Sequence, residues 1–303
     1  MTIALTGATG FVGQAVLDAA AHQAVAVRAL TRRSRPSRDG VDWVEGSLTD
    51  TASLETLCHD AEAMIHVAGL TNAPDPAAFE AANVDGTASV IAAMKTARCK
   101  RLVLVSSLSA REPGLSAYGA SKAKAEALVQ ASGLDWTIVR PPGVYGPRDI
   151  DYLEMFRSAK WGFVPLPPRG ASSIIHVDDL ARLLLDLVDA PPALVRRQTF
   201  EPDDGREGGW SHAELARAIG RAVGRRVFAP HLPKSLMMAG ATIDRLLRGD
   251  KARLTPDRVG YMAHPNWVAR SGKRVPAAVW EPRISGEEGL ASTAEWYRTE
   301  GSL

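Results

Sequence analysis

The first thirteen residues constrain the fold of this chain more than any other stretch. Residues 2–5 read as a short apolar strand, and Gly7-Ala8-Thr9-Gly10-Phe11-Val12-Gly13 follows at once, ahead of an alanine-rich helical stretch reaching about Ala21. Glycines at a strand-to-helix turn let the backbone bend tightly and come close to a pyrophosphate, whose charge is then met by unpaired amides at the helix N-terminus. The spacing Gly7-x-x-Gly10-x-x-Gly13 is not G-x-G-x-x-G, so its place directly after the first strand carries the argument. Gly7, Thr9, Gly10, Phe11, Val12 and Gly13 are the expected nucleotide cradle.

Further strand patterns occur at 25–30, 43–45, 63–67, 102–105 and 137–139, separated by helical patterns over 51–58, 76–97 and 117–131. Such alternation predicts an α/β chain with a doubly wound parallel sheet. The rhythm breaks in the proline-rich passages 140–147 and 164–168, and later helices are expected at 177–188, 211–222, 233–247 and 286–299. The expected division is therefore a nucleotide-binding domain over 1–145 and a smaller, helix-rich C-terminal substrate lobe over 146–303, with 171–200 returning to the sheet. Tyr145, Tyr152, Met155, Phe156, Trp161 and Phe163 form an apolar cluster there that suits either the lobe core or a pocket for a hydrophobic ketone or aldehyde. The helix around 236–247, with two methionines and few cations, reads as core-facing rather than membrane-facing.

Apolar residues at 46% and charged residues at 23% exclude a disordered chain. No apolar run approaches the roughly 18 residues needed to cross a bilayer, and Met1-Thr2-Ile3-Ala4-Leu5 lacks the charged start of a secretion signal, so a cytoplasmic protein is expected. Cys58 and Cys99 alone make neither a disulfide framework nor a zinc cluster, and no metal is expected. A net charge of +2 gives no reason to expect a nucleic-acid partner.

Two further features carry chemistry. At the end of the second strand, where a carboxylate would hold a bare ribose 2′-hydroxyl, the chain runs Arg28-Ala29-Leu30-Thr31-Arg32-Arg33-Ser34-Arg35. Guanidinium groups suit a 2′-phosphate, so NADP(H) is favoured over NAD(H), with Arg32 and Arg33 as the phosphate contacts. Tyr118-Gly119-Ala120-Ser121-Lys122 opens the helix after the fifth strand, and its spacing of four puts phenol and ammonium on one helical face. There the ammonium favours the ionised phenol. Ser106-Ser107 closes the preceding strand, at the edge where doubly wound sheets bind ligands.

Jointly, Thr6 to Gly13, His66-Val67-Ala68-Gly69, Asn83-Val84-Asp85-Gly86-Thr87, Ser106-Ser107, Tyr118 to Lys122, Arg140 to Pro147 and Ile175 to Ala181 resemble the extended branch of the short-chain dehydrogenase/reductase superfamily, which includes NAD(P)-dependent epimerases and dehydratases. The resemblance covers nearly the whole chain and implies a Rossmann-type sheet. It implies Tyr118 as catalytic acid/base, Lys122 on the nicotinamide ribose, Ser107 on the substrate oxygen and Asn83 near a proton relay, although Asn83 also suits a helix cap. Ala68 and Gly69 would line the adenosine side and Pro141 the nicotinamide, while His176 reads as a packed histidine. Two departures stand out. Gly46-Ser47-Leu48-Thr49-Asp50 puts Ser47 where many members have an aspartate on the adenine amine, leaving Ser47 and Leu48 as the adenine contacts, and only eleven positions separate Ser107 from Tyr118. The leading expectation is hydride transfer to a carbonyl of a small-molecule substrate, by a monomer or homodimer. The alternatives are a nucleotide-sugar epimerase or dehydratase that recycles its cofactor, with Arg148, Arg169 and Arg206 as diphosphate clamp candidates, and a non-catalytic nucleotide-sensing or assembly protein.

Overall fold

The computed structural model describes residues 1–73, 75–249, 252 and 254–303. Its strands are β1 (Thr2–Thr6), β2 (Ala26–Thr31), β3 (Val41–Glu45), β4 (Ala63–His66), β5 (Arg101–Val105), β6 (Asp135–Val139), β7 (Gly143–Tyr145), β8 (Ala171–Ser172), β9 (Ile174–His176), β10 (Gln198–Phe200), β11 (Trp210–Ser211) and β12 (Asn266–Trp267). Between them run the α-helices α1 (Phe11–His22), α2 (Thr51–Cys58), α3 (Pro76–Phe79), α4 (Gly86–Thr96), α5 (Ala117–Ala131), α6 (Asp151–Lys160), α7 (Val177–Asp189), α8 (Pro192–Val195), α9 (His212–Ala222), α10 (Lys234–Arg248), α11 (Pro256–Met262) and α12 (Gly286–Thr299).

The chain divides into two units: Met1–Arg140 with Leu180–Phe200 and Val275–Trp280, and Pro141–Asp179 with Glu201–Arg274 and Glu281–Leu303. The first unit holds a seven-stranded parallel sheet in the order β10-β6-β5-β4-β1-β2-β3. Its central strands are buried throughout, which is why Ala63-Met64-Ile65-His66 and Leu102-Val103-Leu104-Val105 read as continuous runs instead of alternating. Leu54 and Leu57 of α2, Val90 and Met94 of α4 and Leu102 and Leu104 of β5 build one core against the sheet. Each such side chain contributes about 1.5–3 kcal/mol by leaving water. The strand order reverses between β1 and β4, and the turns that follow β1, β3, β4 and β5 all leave the carboxyl edge of the sheet. That edge is where this architecture binds ligands.

Three expectations are corrected. The single helix over 76–97 is instead α3, a π-helical turn over Glu80–Asp85, and α4. Of the segment 171–200, only Leu180–Phe200 belongs with the sheet, because Ala171 and Ser172 pair with β11 and β12 instead. The first unit also takes in Val275–Trp280, which no periodicity announced.

The second unit has its own core, in which Tyr145, Phe156, Trp210, Ile219, Leu290 and Tyr297 are buried, with Tyr152 and Met155 packed against them. Trp161 and Phe163 do not join it and are exposed, so the aromatic cluster expected from the sequence splits in two. In α10, Met237 and Ala241 face inward, but Leu236, Ile243, Leu246 and Leu247 are exposed, so the core-facing expectation holds for one side of the helix only. Among the described residues, no helix is long and apolar enough to cross a membrane.

Candidate active site

The glycine turn is built by exclusion. Gly7 has φ +73° at the end of β1, and a Cβ there would lie 2.6 Å from the Ala68 amide nitrogen, so only glycine lets this turn meet the loop after β4. At Gly13 a Cβ would sit 2.0 Å from the Gly7 carbonyl oxygen. The Gly10 amide donates to the Gly7 carbonyl at 3.0 Å, and Gly10 then caps α1 without any side-chain acceptor. The first amides of α1, at Phe11, Val12 and Gly13, have no acceptor within the helix, and they form the positive end of its dipole. A dinucleotide's pyrophosphate fits this cradle. Gln14 closes its rim, donating from Nε2 to the Thr9 carbonyl at 3.0 Å.

A buried polar chain fixes the neighbouring loop. Thr6 Oγ1 and His66 Nδ1 lie 2.6 Å apart, His66 Nε2 and Thr87 Oγ1 3.1 Å apart, and Thr87 Oγ1 donates to the Asn83 carbonyl at 2.6 Å. Thr6 Oγ1 also accepts from the Ala68 amide at 3.2 Å. Burial, with the Lys122 charge adding to it, pushes the His66 imidazole down to about 3, so it is neutral. Asn83 lies in the π-helical turn, where its Oδ1 accepts from the Leu70 amide at 2.8 Å and its Nδ2 donates to the Leu70 carbonyl at 3.0 Å and to Ser121 Oγ at 2.9 Å. It is thus no helix cap. Its side chain clamps the loop after Gly69 to α5, and π-bulges of this kind commonly serve such sites.

On α5, Tyr118 is buried with its ring 5.8 Å from that of Phe79. One turn on, Lys122 Nζ donates to the Val105 carbonyl at the end of β5 at 2.8 Å, and it lies 3.7 Å from where a Gly69 Cβ would be. Burial pushes this ammonium down to about 8, against the pull of the Glu126 carboxylate a further turn along. Glu126 itself accepts from Ser106 Oγ at 2.5 Å and from Arg140 Nε at 2.9 Å. Ser107 caps a 3₁₀ turn over Leu108–Arg111, its Oγ accepting from the Ser109 amide at 3.2 Å. A second such turn, Pro113–Leu115, completes the short link to Tyr118. Gly119 lets the two elements abut, since a Cβ there would lie 2.7 Å from the Ser109 carbonyl oxygen. The structure therefore gathers Gly69, Asn83, Ser121 and Lys122, and sets Ser107 and Tyr118 on abutting elements. Ser121, Glu126 and Arg140 were not singled out for roles, although Glu126 stands four residues after Lys122 just as Lys122 does after Tyr118.

The basic segment sorts itself. Arg28 is tied to Asp42 at 2.9 Å and to the carbonyls of Thr56 and His59, and Arg38 is tied to Asp18 at 2.8 Å. Arg32, Arg33 and Arg35, just beyond β2, are exposed and form no ion pair among the described residues. Ser47 Oγ is engaged with Thr49, at 2.9 Å from its hydroxyl and 3.2 Å from its amide, and Asp50 is used as the cap of α2. Leu48 packs against Gly86, where a Cβ would lie 2.7 Å from its Cδ1. Pro141 opens the second unit.

A parallel sheet with a glycine cradle at its carboxyl edge, and a tyrosine one helical turn before a buried lysine, defines an NAD(P)-dependent enzyme of the extended short-chain dehydrogenase/reductase type. The chain belongs to the NAD(P)H-binding family, whose profile matches residues 7–191. It is 35% identical to the ceramide reductase of Caulobacter vibrioides, over 99% of this chain and 96% of that one. It is 27% identical, over 86% of this chain and 92% of the other, to the 4-hydroxy-2-methyl-3-oxo-4-farnesyl-3,4-dihydroquinoline-1-oxide ketoreductase of Stigmatella aurantiaca. Among solved structures, UDP-glucuronic acid 4-epimerase from Bacillus cereus, in complex with UDP-glucuronic acid and NAD, shares the fold at a TM-score of 0.75, with 16% identity over 99% of this chain and 100% of that one.

Proposed function

We propose that the protein is an NADP(H)-dependent reductase of a ketone borne on a long hydrocarbon chain. The observation that carries the hydride-transfer part of the reading is the buried Lys122 ammonium pinned to the Val105 carbonyl one helical turn after Tyr118. When bound, the nicotinamide supplies the hydride. Tyr118 donates its hydroxyl proton to the substrate oxygen as that oxygen gains charge, and Ser107 Oγ donates a hydrogen bond to the same atom. The Lys122 ammonium, held in a poorly solvated site, stabilises the phenolate left behind. Asn83 keeps the loop after Gly69 and α5 in register.

The substrate class follows the two reductase relatives, whose named substrates both carry long hydrocarbon chains. An epimerase would need cations free to clamp a diphosphate. Of the candidates for that role, Arg206 is already paired with Glu214 at 2.9 Å and stacked 4.0 Å over Trp210, while Arg169 is exposed. The test is NADPH oxidation against a panel of long-chain ketones presented in micelles, with UDP-sugars alongside. Ketone-dependent oxidation is the expected result, and UDP-sugar turnover without net redox change would replace this reading with the epimerase.

Preference for NADP(H) is assigned to Arg32 and Arg33, the exposed guanidinium groups beyond β2, where Thr31 rather than a carboxylate ends the strand. Hydrogen bonds to charged groups are worth about 1.5–3 kcal/mol each. The pair Arg32→Ala with Arg33→Ala should therefore weaken NADPH binding by roughly 10²–10⁴-fold and leave NADH binding nearly as it was. Equal losses for both coenzymes in a fluorescence titration would remove the phosphate clamp.

A further inference from the structure

The second unit carries an exposed aromatic and aliphatic surface that its own core does not use. Trp161, at the end of α6, is 87% exposed, and Phe163 and Phe228 are 45% and 69% exposed. The two phenyl rings lie 6.1 Å apart because the backbone at 162–166 pairs with that at 228–232: the Phe228 amide donates to the Gly162 carbonyl at 2.8 Å and the Val164 amide to the Phe228 carbonyl at 3.0 Å. Gly162, at φ +77°, lets the chain turn between Trp161 and Phe163 so that both stay outside. Lys160, Arg225 and Arg226 are exposed beside these rings and form no ion pair among the described residues. Six residues beyond Phe228, α10 begins and presents Leu236, Ile243, Leu246 and Leu247 to solvent, the last two 80% exposed. Positions 236, 243 and 247 lie on one side of the helix, about a third of a turn from the inward-facing Met237 and Ala241.

Charge decides what covers such a surface. Over 225–234 three cations, Arg225, Arg226 and Lys234, stand with no carboxylate among them, in a chain whose net charge is only +2. A two-fold contact burying these rings would bring the Lys160, Arg225 and Arg226 cluster of one copy close to that of the other, which like-charge repulsion disfavours. Exposed Trp, Phe and Leu next to lysine and arginine are instead what an anionic bilayer surface takes up, the rings entering the headgroup region and the cations meeting lipid phosphates. We propose that the surface of the second unit formed by Trp161, Phe163 and Phe228, with Lys160, Arg225 and Arg226 beside them, docks the protein on the surface of anionic lipid membranes. For a substrate with a long hydrocarbon chain, a point that rests on the reductase reading above, docking brings the protein to the phase that holds it.

The experiment is co-sedimentation of the full chain with vesicles of phosphatidylglycerol and phosphatidylcholine, and with vesicles of phosphatidylcholine alone, in low and high salt. Because it reads binding and not turnover, its outcome is separate from that of the ketone panel. The protein should pellet with the anionic vesicles, less so in high salt, and at least tenfold less when Trp161→Ser is combined with Phe228→Ser or Lys160→Glu with Arg226→Glu. These side chains are exposed, so circular dichroism should match the parent. No pelleting with either vesicle, or pelleting that ignores both pairs of substitutions, overturns the proposal. So does a dimer in light scattering that dissociates on Trp161→Ser with Phe228→Ser, for then a second copy covers this face.

Discussion

Tyr118→Phe is expected to lower ketone reduction by roughly 10²–10⁴-fold, the usual worth of a positioned proton donor, while cofactor affinity stays at the parent value. The substitution removes one oxygen and little else. The ring keeps its place against Phe79, and Ser121 Oγ still donates to the backbone carbonyl of residue 118 at 2.8 Å, so the first turn of α5 is undisturbed. A thousandfold loss corresponds to about 4 kcal/mol of transition-state stabilisation, more than any repacking of a conserved ring shape should cost. Lys122→Met makes the companion measurement. Its ammonium is both the partner of the phenolate and the group expected on the ribose, so this variant should lose cofactor affinity as well as turnover. Single-turnover reduction with bound NADPH, beside a fluorescence titration of the same samples, separates the two cases. Unchanged turnover in Tyr118→Phe would remove the phenol from the chemistry, and equal affinity losses in both variants would make it a structural residue.

The sheet was legible because its signals are local. A parallel strand buried on both faces is apolar through its middle instead of alternating, so β1, β4 and β5 announce themselves as short runs, and the glycines after β1 mark a place where a side chain would strike backbone. Spacing also puts Tyr118 and Lys122 on one side of α5, since a helix converts a separation of four into a shared face. What escaped depends on tertiary partners. The π-helical turn at Glu80–Asp85 leaves the sequence looking like one uninterrupted helix, and it carries Asn83, which reaches Leu70 and Ser121, 13 and 38 positions away. The pairing of Glu126 with Arg140 needs α5 and β6 to be side by side before it can be seen. Trp161 and Phe163 share the composition of the core residues around them, and only the turn at Gly162 and the pairing with Phe228 put them outside. The same holds for α10, whose outward leucines obey helical periodicity as well as its inward methionine does.

His66→Gln should flatten the acid side of the stability profile. His66 is enclosed between Thr6 and Thr87, and its imidazole is pushed down to about 3 by burial and by the Lys122 charge. Between about pH 6.5 and pH 3 the unfolded chain binds a proton on this ring that the folded chain refuses, so stability falls as the pH falls through that window. Each unit of pKa difference is worth about 1.4 kcal/mol, and at pH 4.5 the parent has lost on the order of 2.5 kcal/mol from this one group. Glutamine keeps a polar tip between the two threonines but does not titrate. At pH 7 it should cost about 1 kcal/mol for an imperfect hydrogen bond, and at pH 4.5 the variant should equal or exceed the parent. Other titrating groups, such as Asp149, whose carboxyl is pushed up to about 6 by its burial, are common to both proteins and cancel in the difference. Urea unfolding of the two proteins at both pH values measures the crossing directly. A stability gap that is the same at pH 7 and pH 4.5 would mean that the folded protein protonates His66 as readily as the unfolded chain does. The neutral imidazole would then not be what ties β1, β4 and α4 together beneath the glycine cradle.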